Sequence, residues 1–520
     1  MGLANLDIAV FIVYVVGLIG LASWVSREKE GHTKNTEDYF LASKSLPWWA
    51  IGASLIAANI SAEQIIGMSG SGYALGLGIA SYEWMGGLGL IIVAKYMLPI
   101  FLKQKIYTMP QYLEQRYNHS VRMIMATFWL ALYVFVNLTS ILWLGALAIN
   151  TITGISMTYG MIFLGVFALS YSLYGGLKAV AFTDIIQVVL LIFGGLFLSY
   201  LTLDMISNGQ GFWQGAQILT DQFPEKFDMI LSEDNPYYKD LPGISVLIGG
   251  MWVMNFSYWG FNQYIIQRAL AAKSIQEAQK GMNFAAFLKL LMPIIVVLPG
   301  IAAVTLAPDL ERPDQAYPTM MNLMPVGLKG LIFAALVAAV VSSLASMINS
   351  ISTIFTMDMY SHYKPDRSQS HYVMIGRMVS ISALIIAMIV AQPLLSSFDQ
   401  GFKFIQDFTG FFTPGIVVIF VLGLFWKRAT ANGAIVAALG SFLLSCAFYY
   451  LLPDYPFMDR VGVVFVICLV LAIVISLMGK PVDHPQAVDV RDMDFSTSKS
   501  FNIQALIFFL ILVAFYATWW

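Results

Sequence analysis

GASLIAANISAEQIIGMSGSG, running from Gly52 to Gly72, is a membrane-length apolar stretch interrupted by Asn59, Ser61, Glu63 and Gln64. A carboxylate at the centre of a bilayer-spanning helix costs about 2.5–3.5 kcal/mol on insertion scales, so such groups face a cavity, a partner or a ligand. Small residues and glycines around them allow the helix to unwind. The freed carbonyls can then hold a cation where the backbone lines a cavity. A satisfied polar contact between helices is the plain alternative for any one of these residues. Four within six positions argue for a cavity.

Outward from this stretch, the composition sets the class. The 520 residues are 58% hydrophobic and 11% charged, with a mean hydropathy of +0.74, far from a soluble average of about 25% charged. The chain reads as a polytopic, all-α integral membrane protein. A net charge of −2 without a basic run gives no nucleic-acid partner. Cys446 and Cys468 fall in apolar runs, and the five histidines all lie between apolar runs, so no metal enzyme and no histidine relay is predicted.

A window of about 20 residues marks apolar segments near 5–25, 47–75, 77–101, 120–149, 155–174, 179–205, 244–267, 280–307, 327–359, 372–394, 400–425, 430–452, 457–479 and 501–519. The first lacks a cleavage site and reads as a retained extra N-terminal helix. About fourteen crossings place both termini outside. The positive-inside rule supports that count. Most Lys and Arg fall in loops assigned inside, among them Arg27, Lys29, Lys34, Lys44, Lys178, Arg268 and Lys480. Loops assigned outside hold only Lys226, Lys239, Arg312, Lys329 and Arg460, and Lys95, Lys289 and Lys403 lie within spans. The acidic external loop 206–243 reads first as a solvated connector, with a short helix or lid as the alternative. No loop is long enough for a soluble domain. Glycine and polar interruptions recur in the second span, at GMSGSG, and in the seventh, at Trp259 and Gly260. That recurrence fits two inverted five-helix repeats, 47–205 and 244–425, followed by flanking helices over 430–519.

Within the spans, Glu83, Asn255, Lys289 and Gln406 join Gln64 in a set that both donates and accepts hydrogen bonds. This mixture suits a neutral polyhydroxylated solute better than an amino acid. Tyr82, Trp84, Tyr258, Trp259 and Phe402 can pack on the apolar faces of a sugar, or simply on other helices. Lys289 also reads as a salt bridge to Glu83 or Glu63. In LVAAVVSSLASMINS, Ser342 and Ser346 share a helix face with Ser343 beside them. Hydroxyls there bond back to their own helix or, with carbonyls of a broken helix, coordinate sodium.

These residues carry a resemblance. SLIAANISAEQ, GMSGSGYA, ASYEWM, YGGLKAV, FTDIIQVV, WGFNQYIIQR, AAFLKL, AAVVSSLASMINS and TGFFTPG make the chain similar, over nearly its full length, to the sodium/solute symporters, in particular the bacterial sodium/sugar (galactose/glucose) cotransporters. The resemblance implies a LeuT-like fold and sodium-coupled uptake of a monosaccharide across the cell membrane by alternating access. Gln64, Glu83, Asn255, Lys289 and Gln406 would hold the sugar. Tyr258 would be the inner gate, with Met68, Tyr82 and Phe402 as the outer gate. Sodium would be held by the carbonyls of Ala57, Ile60 and Ala339 and the hydroxyls of Ser342 and Ser343, and Asp184 would belong to its cytoplasmic path. Gly86 departs from the family, where a serine near the sugar is found. An inositol, a sugar acid, or an uncoupled facilitator or sensor are the competing readings. A membrane enzyme lacks both a metal constellation and a nucleophile with a base.

Overall fold

The structure, a computed structural model, describes residues 2–25, 46–106, 108–174, 177–479, 483–485 and 487–520. Arg27, Lys29, Lys34, Lys44 and Lys480 of the basic loops lie outside the described residues, as does the side chain of Lys178. The described chain is helical: α1 Asn5–Val25, α2 Trp48–Asn59, α3 Glu63–Leu75, α4 Leu77–Lys103, α5 His119–Thr153, α6 Met157–Tyr174, α7 Leu177–Ile206, and α8 Phe212–Gln222 outside the apolar segments. There follow α9 Gly250–Phe256, α10 Gln263–Leu270, α11 Ile275–Leu306, α12 Leu328–Tyr363, α13 Gln369–Leu395, α14 Gly401–Thr409, α15 Thr413–Phe425, α16 Ala431–Leu451, α17 Phe457–Met478 and α18 Lys499–Thr518. Among the described residues nine helices are long and apolar enough to cross a membrane, or eleven if each of two bent pairs is one span. Asn5–Leu21 and Met157–Ser170 are shorter apolar helices.

The bent pairs are α2–α3, turned by 62°, and α14–α15, turned by 47°. The first break has a local cause. Ile60 takes φ −73°, ψ 88°, and the Ser61 amide, which would have closed on Ala57, turns to the Asn59 oxygen at 2.9 Å. The Ser61 hydroxyl then accepts from the Glu63 amide at 3.2 Å, a side-chain bond that competes with the helix ladder. A π turn over Glu63–Met68 resumes the span. The seventh apolar segment breaks in the same manner, through a π turn over Ser257–Phe261 and an extended Asn262. The expectation of interruptions in the second and seventh segments therefore holds.

α11 packs along α2 and α4, and α12 along α1 and α6. Contact is close because residues are small. A methyl on Gly281 would lie 2.8 Å from the Trp48 oxygen, and one on Gly72 2.8 Å from the Val297 oxygen.

The acidic loop is more than a solvated connector, since it carries α8 and clamps its neighbours. Lys226 donates to the carbonyls of Tyr73 at 3.1 Å and Ala74 at 2.5 Å, satisfying acceptors left open at the end of α3. The Met229 amide donates to the Trp519 oxygen at 2.7 Å. Asp7, fully buried, accepts from the Gly327 and Gly330 amides at the start of α12 at 2.6 and 2.9 Å, where a negative charge complements the helix dipole. Tyr73 in turn donates to the Pro308 oxygen. Loops 207–244 and 307–327 thus gather on the face that also holds both ends of the described chain.

Candidate functional site

The break after α2 and the π turn over Ser257–Phe261 face one another across a central cavity. The space between its lining residues is about 780 Å³, solvent at its open side included. Gln64, Glu83, Asn255, Lys289 and Gln406 all line it, as do Tyr82, Tyr258, Trp259 and Phe402. Met68 does not line it and is fully buried one turn further along α3.

Lys289 is the centre of this arrangement. Its ammonium donates to Glu83 Oε2 at 2.6 Å and Asn59 Oδ1 at 2.5 Å, and lies 4.5 Å from the centre of the Trp259 ring. Both ends of the ion pair are buried, with side-chain exposures of 1% and 3%. The salt-bridge reading of Lys289 is thus part of the geometry, and the pair still borders the cavity. Gln406 donates to Glu63 Oε1 at 3.2 Å. Asn255 donates back to the Met251 oxygen at 3.1 Å. A buried Gln64 oxygen, Oε1, has no hydrogen-bond partner among the described residues. At Gly86 a Cβ would stand 3.0 Å from Asn255 Oδ1 and 3.1 Å from Trp259 Nε1, so any larger residue here would press on both, and glycine lets them stand this close.

On the side of α3 and α14, the cavity is covered by the edge-to-face pair Tyr82–Phe402, ring centres 5.0 Å apart. The α14 helix carrying Phe402 is tied down at both ends. Asp314 accepts from the Gly401 amide at 2.8 Å, and Ser71 donates to Gln400 at 2.7 Å. At the far end Arg460 donates to the Asp407 carbonyl at 3.0 Å and its carboxylate at 2.5 Å. Lys403 pairs with Asp240 of the acidic loop at 2.7 Å. Burial pushes the Asp240 carboxyl above its ordinary range, and the Lys403 ammonium pulls it back.

Opposite, the Tyr258 hydroxyl accepts from Asn59 and from Tyr264, both at 3.2 Å, and its ring stands edge-on to Trp259. Asn59 therefore joins Lys289 to Tyr258. Behind it Tyr133 donates to Asn262 at 2.8 Å. Tyr133, Asn262 and Tyr264 were not singled out from the sequence, because single polar residues in apolar runs carry no spacing signal.

The second constellation lies where α2 packs on α12. Ala57, Ile60, Ala339, Ser342 and Ser343 are all buried there. Ser342 donates to Asp184 Oδ1 at 3.0 Å, and Ser54 donates to Oδ2 at 3.4 Å. Arg268 donates to Ser54 at 3.0 Å and pairs with Asp184 at 3.7 Å; it also donates to the Tyr264 carbonyl. In sequence Arg268 is one of the basic residues of an inside loop, yet it is 1% exposed.

With this geometry in hand, comparison with known proteins is informative. A family model of the sodium:solute symporter family matches residues 39–440. A sodium/glucose cotransporter of Vibrio parahaemolyticus is 50% identical over 100% of this chain and 99% of its own length. A sodium/myo-inositol cotransporter 2 of Oryctolagus cuniculus is 31% identical over 87% of this chain and 71% of its own. Among solved structures, a Na+-coupled sialic acid symporter in a substrate-bound outward-open state superposes with a TM-score of 0.77. That likeness, at 23% identity, covers 92% of this chain and 99% of the other, and it establishes the shared fold.

Proposed function

Since this chain belongs to the sodium:solute symporter family, we propose that it imports a monosaccharide, glucose or galactose, together with sodium by alternating access. The observation that carries the reading is the Lys289 node. An ammonium shared between Glu83 and Asn59 borders the central cavity with Gln64, Asn255 and Gln406. Each hexose hydroxyl both donates and accepts, which this set matches without a net charge on the ligand. The Trp259 and Tyr258 rings offer apolar faces to the sugar ring.

Fourteen crossings, arranged as two inverted repeats over 47–205 and 244–425, place this site at mid-membrane with both termini outside. Sodium binds the carbonyls of Ala57, Ile60 and Ala339 and the hydroxyls of Ser342 and Ser343. The support for this is the Ala57 carbonyl released from the Ser61 amide at the α2 break and the burial of each of the five residues. Asp184 beside Ser342 offers sodium its next ligand toward the cytoplasm. Bound sodium holds α2 against α12 and so fixes the shape of the sugar site from behind. Linkage then requires that sugar raise the affinity for sodium by the same factor. At about −100 mV each sodium carried inward supplies about 2.3 kcal/mol. The outer gate is Tyr82 with Phe402, backed by Met68, and the inner gate is Tyr258.

The test is uptake of labelled glucose and galactose into proteoliposomes of the purified protein, under an inward sodium gradient and an equal potassium gradient, with myo-inositol as competitor. Accumulation above equilibrium only in sodium is the expected result. Equal equilibration in both salts would make the protein a facilitator. No uptake of either hexose in sodium would move the substrate out of the hexoses.

A further inference from the structure

The cavity carries more negative charge than a neutral sugar needs. Its charged lining residues are Glu63, Glu83 and Lys289, and two carboxylates against one ammonium leave one formal negative charge. Lys289 is committed to Glu83, Asn59 and the Trp259 ring. Glu63 feels both charges of that node through space, but the ammonium makes its hydrogen bonds to Glu83 and Asn59. Glu63 is 5% exposed, and its Oε1 receives one bond from the neutral amide of Gln406. The π turn that begins at Glu63 directs this side chain into the cavity, next to the unpartnered Gln64 oxygen. A buried carboxylate without a counter-charge is costly in the membrane interior and is relieved by a cation of its own. Sugar hydroxyls offer it hydrogen bonds but no charge. A protonated amine on the sugar ring offers both, and charge-assisted bonds are about twice as strong as neutral ones.

We infer that the central cavity also accepts hexoses bearing a free, protonated amine, the 2-amino-2-deoxy sugars such as glucosamine, with Glu63 as the carboxylate that pairs with the ammonium. The inference rests on the reading of this cavity as the sugar site and names a substrate class for it. The gates, the sodium constellation and the Lys289 node serve an amino hexose as they serve a neutral one. The amine offers Glu63 a positive charge that a neutral sugar lacks.

The experiment is titration calorimetry on the purified full-length protein in saturating sodium and neutral buffer, with glucosamine and, separately, 2-deoxyglucose, which differs only in having hydrogen in place of the amine. Glucosamine is expected to bind about tenfold more tightly, the effect of one charge-assisted bond. Glu63→Gln should reduce that preference to within about twofold, and Glu63→Asp, which keeps the charge, should retain part of it. Equal affinities in the wild-type protein overturn the inference, and so does a preference that survives Glu63→Gln. Should Glu63→Gln fail to fold, the wild-type and Glu63→Asp titrations decide. Loss of sodium-driven glucose and galactose uptake with glucosamine preference intact would sink the neutral-hexose reading alone. Intact uptake without the preference would sink this inference alone.

Discussion

Replacing Lys289 by Met removes an ammonium 2.6 Å from Glu83 and leaves that carboxylate, 2% exposed, without its counter-charge. At an effective dielectric of about 20, the attraction lost at this distance is about 6 kcal/mol, before the saved cost of burying the lysine. Truncating one partner of a buried pair costs a net of about 3–5 kcal/mol. In a chain of this size that corresponds to a fall in apparent melting midpoint on the order of 5 °C. Removing both charges should be far milder, because two neutral side chains are easier to bury than one orphaned ion. The double variant Lys289→Met with Glu83→Gln should therefore recover most of the lost midpoint, although it will not transport. The assay is fluorescence-detected size exclusion after heating in detergent, comparing wild type, both single variants and the double at one heating rate. A double variant no more stable than Lys289→Met alone would refute the claim that the pair neutralises itself. So would a Lys289→Met midpoint equal to that of wild type.

At the sodium constellation, Ser343→Ala removes one hydroxyl and should raise the sodium concentration for half-maximal uptake by up to about tenfold, with sugar affinity at saturating sodium unchanged; unaltered sodium dependence would remove Ser343 from the site. A Cβ on Gly67 would stand 3.2 Å from both the Cβ and the amide nitrogen of Phe402, so Gly67→Ala should hold the outer gate ajar. Faster external thiol labelling of a cysteine placed at Gln406, with Cys446 and Cys468 replaced by Ala, would register this, and labelling at the wild-type rate would reject it. Asp240→Asn breaks the pair with Lys403, whose side chain is 38% exposed; the expected cost is at most about 1 kcal/mol. It should appear as a changed KM for sugar at low ionic strength that returns to wild type in high choline chloride at constant sodium, whereas a salt-independent change would mean the pair acts through packing instead.

The features that were legible in sequence share one property: they violate the membrane's rules. Asn59, Ser61, Glu63 and Gln64 stand out because bilayer depth punishes polar groups, and the helix does break beside them. Lys289 stands out for the same reason. Features within ordinary helix grammar stayed hidden. The bend between Thr409 and Thr413 lies in TGFFTPG, where no charged residue marks it. Arg268 passed for a loop residue because its partner Asp184 is distant in sequence and only tertiary packing joins them. Asn59 was visible as polar, but its part as acceptor for Lys289 and donor to Tyr258 depends on three separate helices meeting. The acidic loop looked like a connector because hydropathy gives no weight to Lys226 reaching the end of α3.

The bend after α14 has a mechanical consequence. From Gly410 back to Phe402 the helix axis is a lever about 12 Å long, at about 1.5 Å per residue. Each degree of swing at that fulcrum moves the Phe402 ring by about 0.2 Å, so a gap one water molecule wide needs only about 13°. That is a fraction of the 47° already present, and no helical bond within α14 need be broken to reach it. Arg460 grips Asp407 close to the fulcrum, where leverage is smallest and the tether survives the stroke. Asp314, Ser71 and Asp240 hold the long arm near its tip, where the same rotation parts them first. Under such a turn the Arg460–Asp407 contact shifts least, and the contacts beside Phe402 travel furthest.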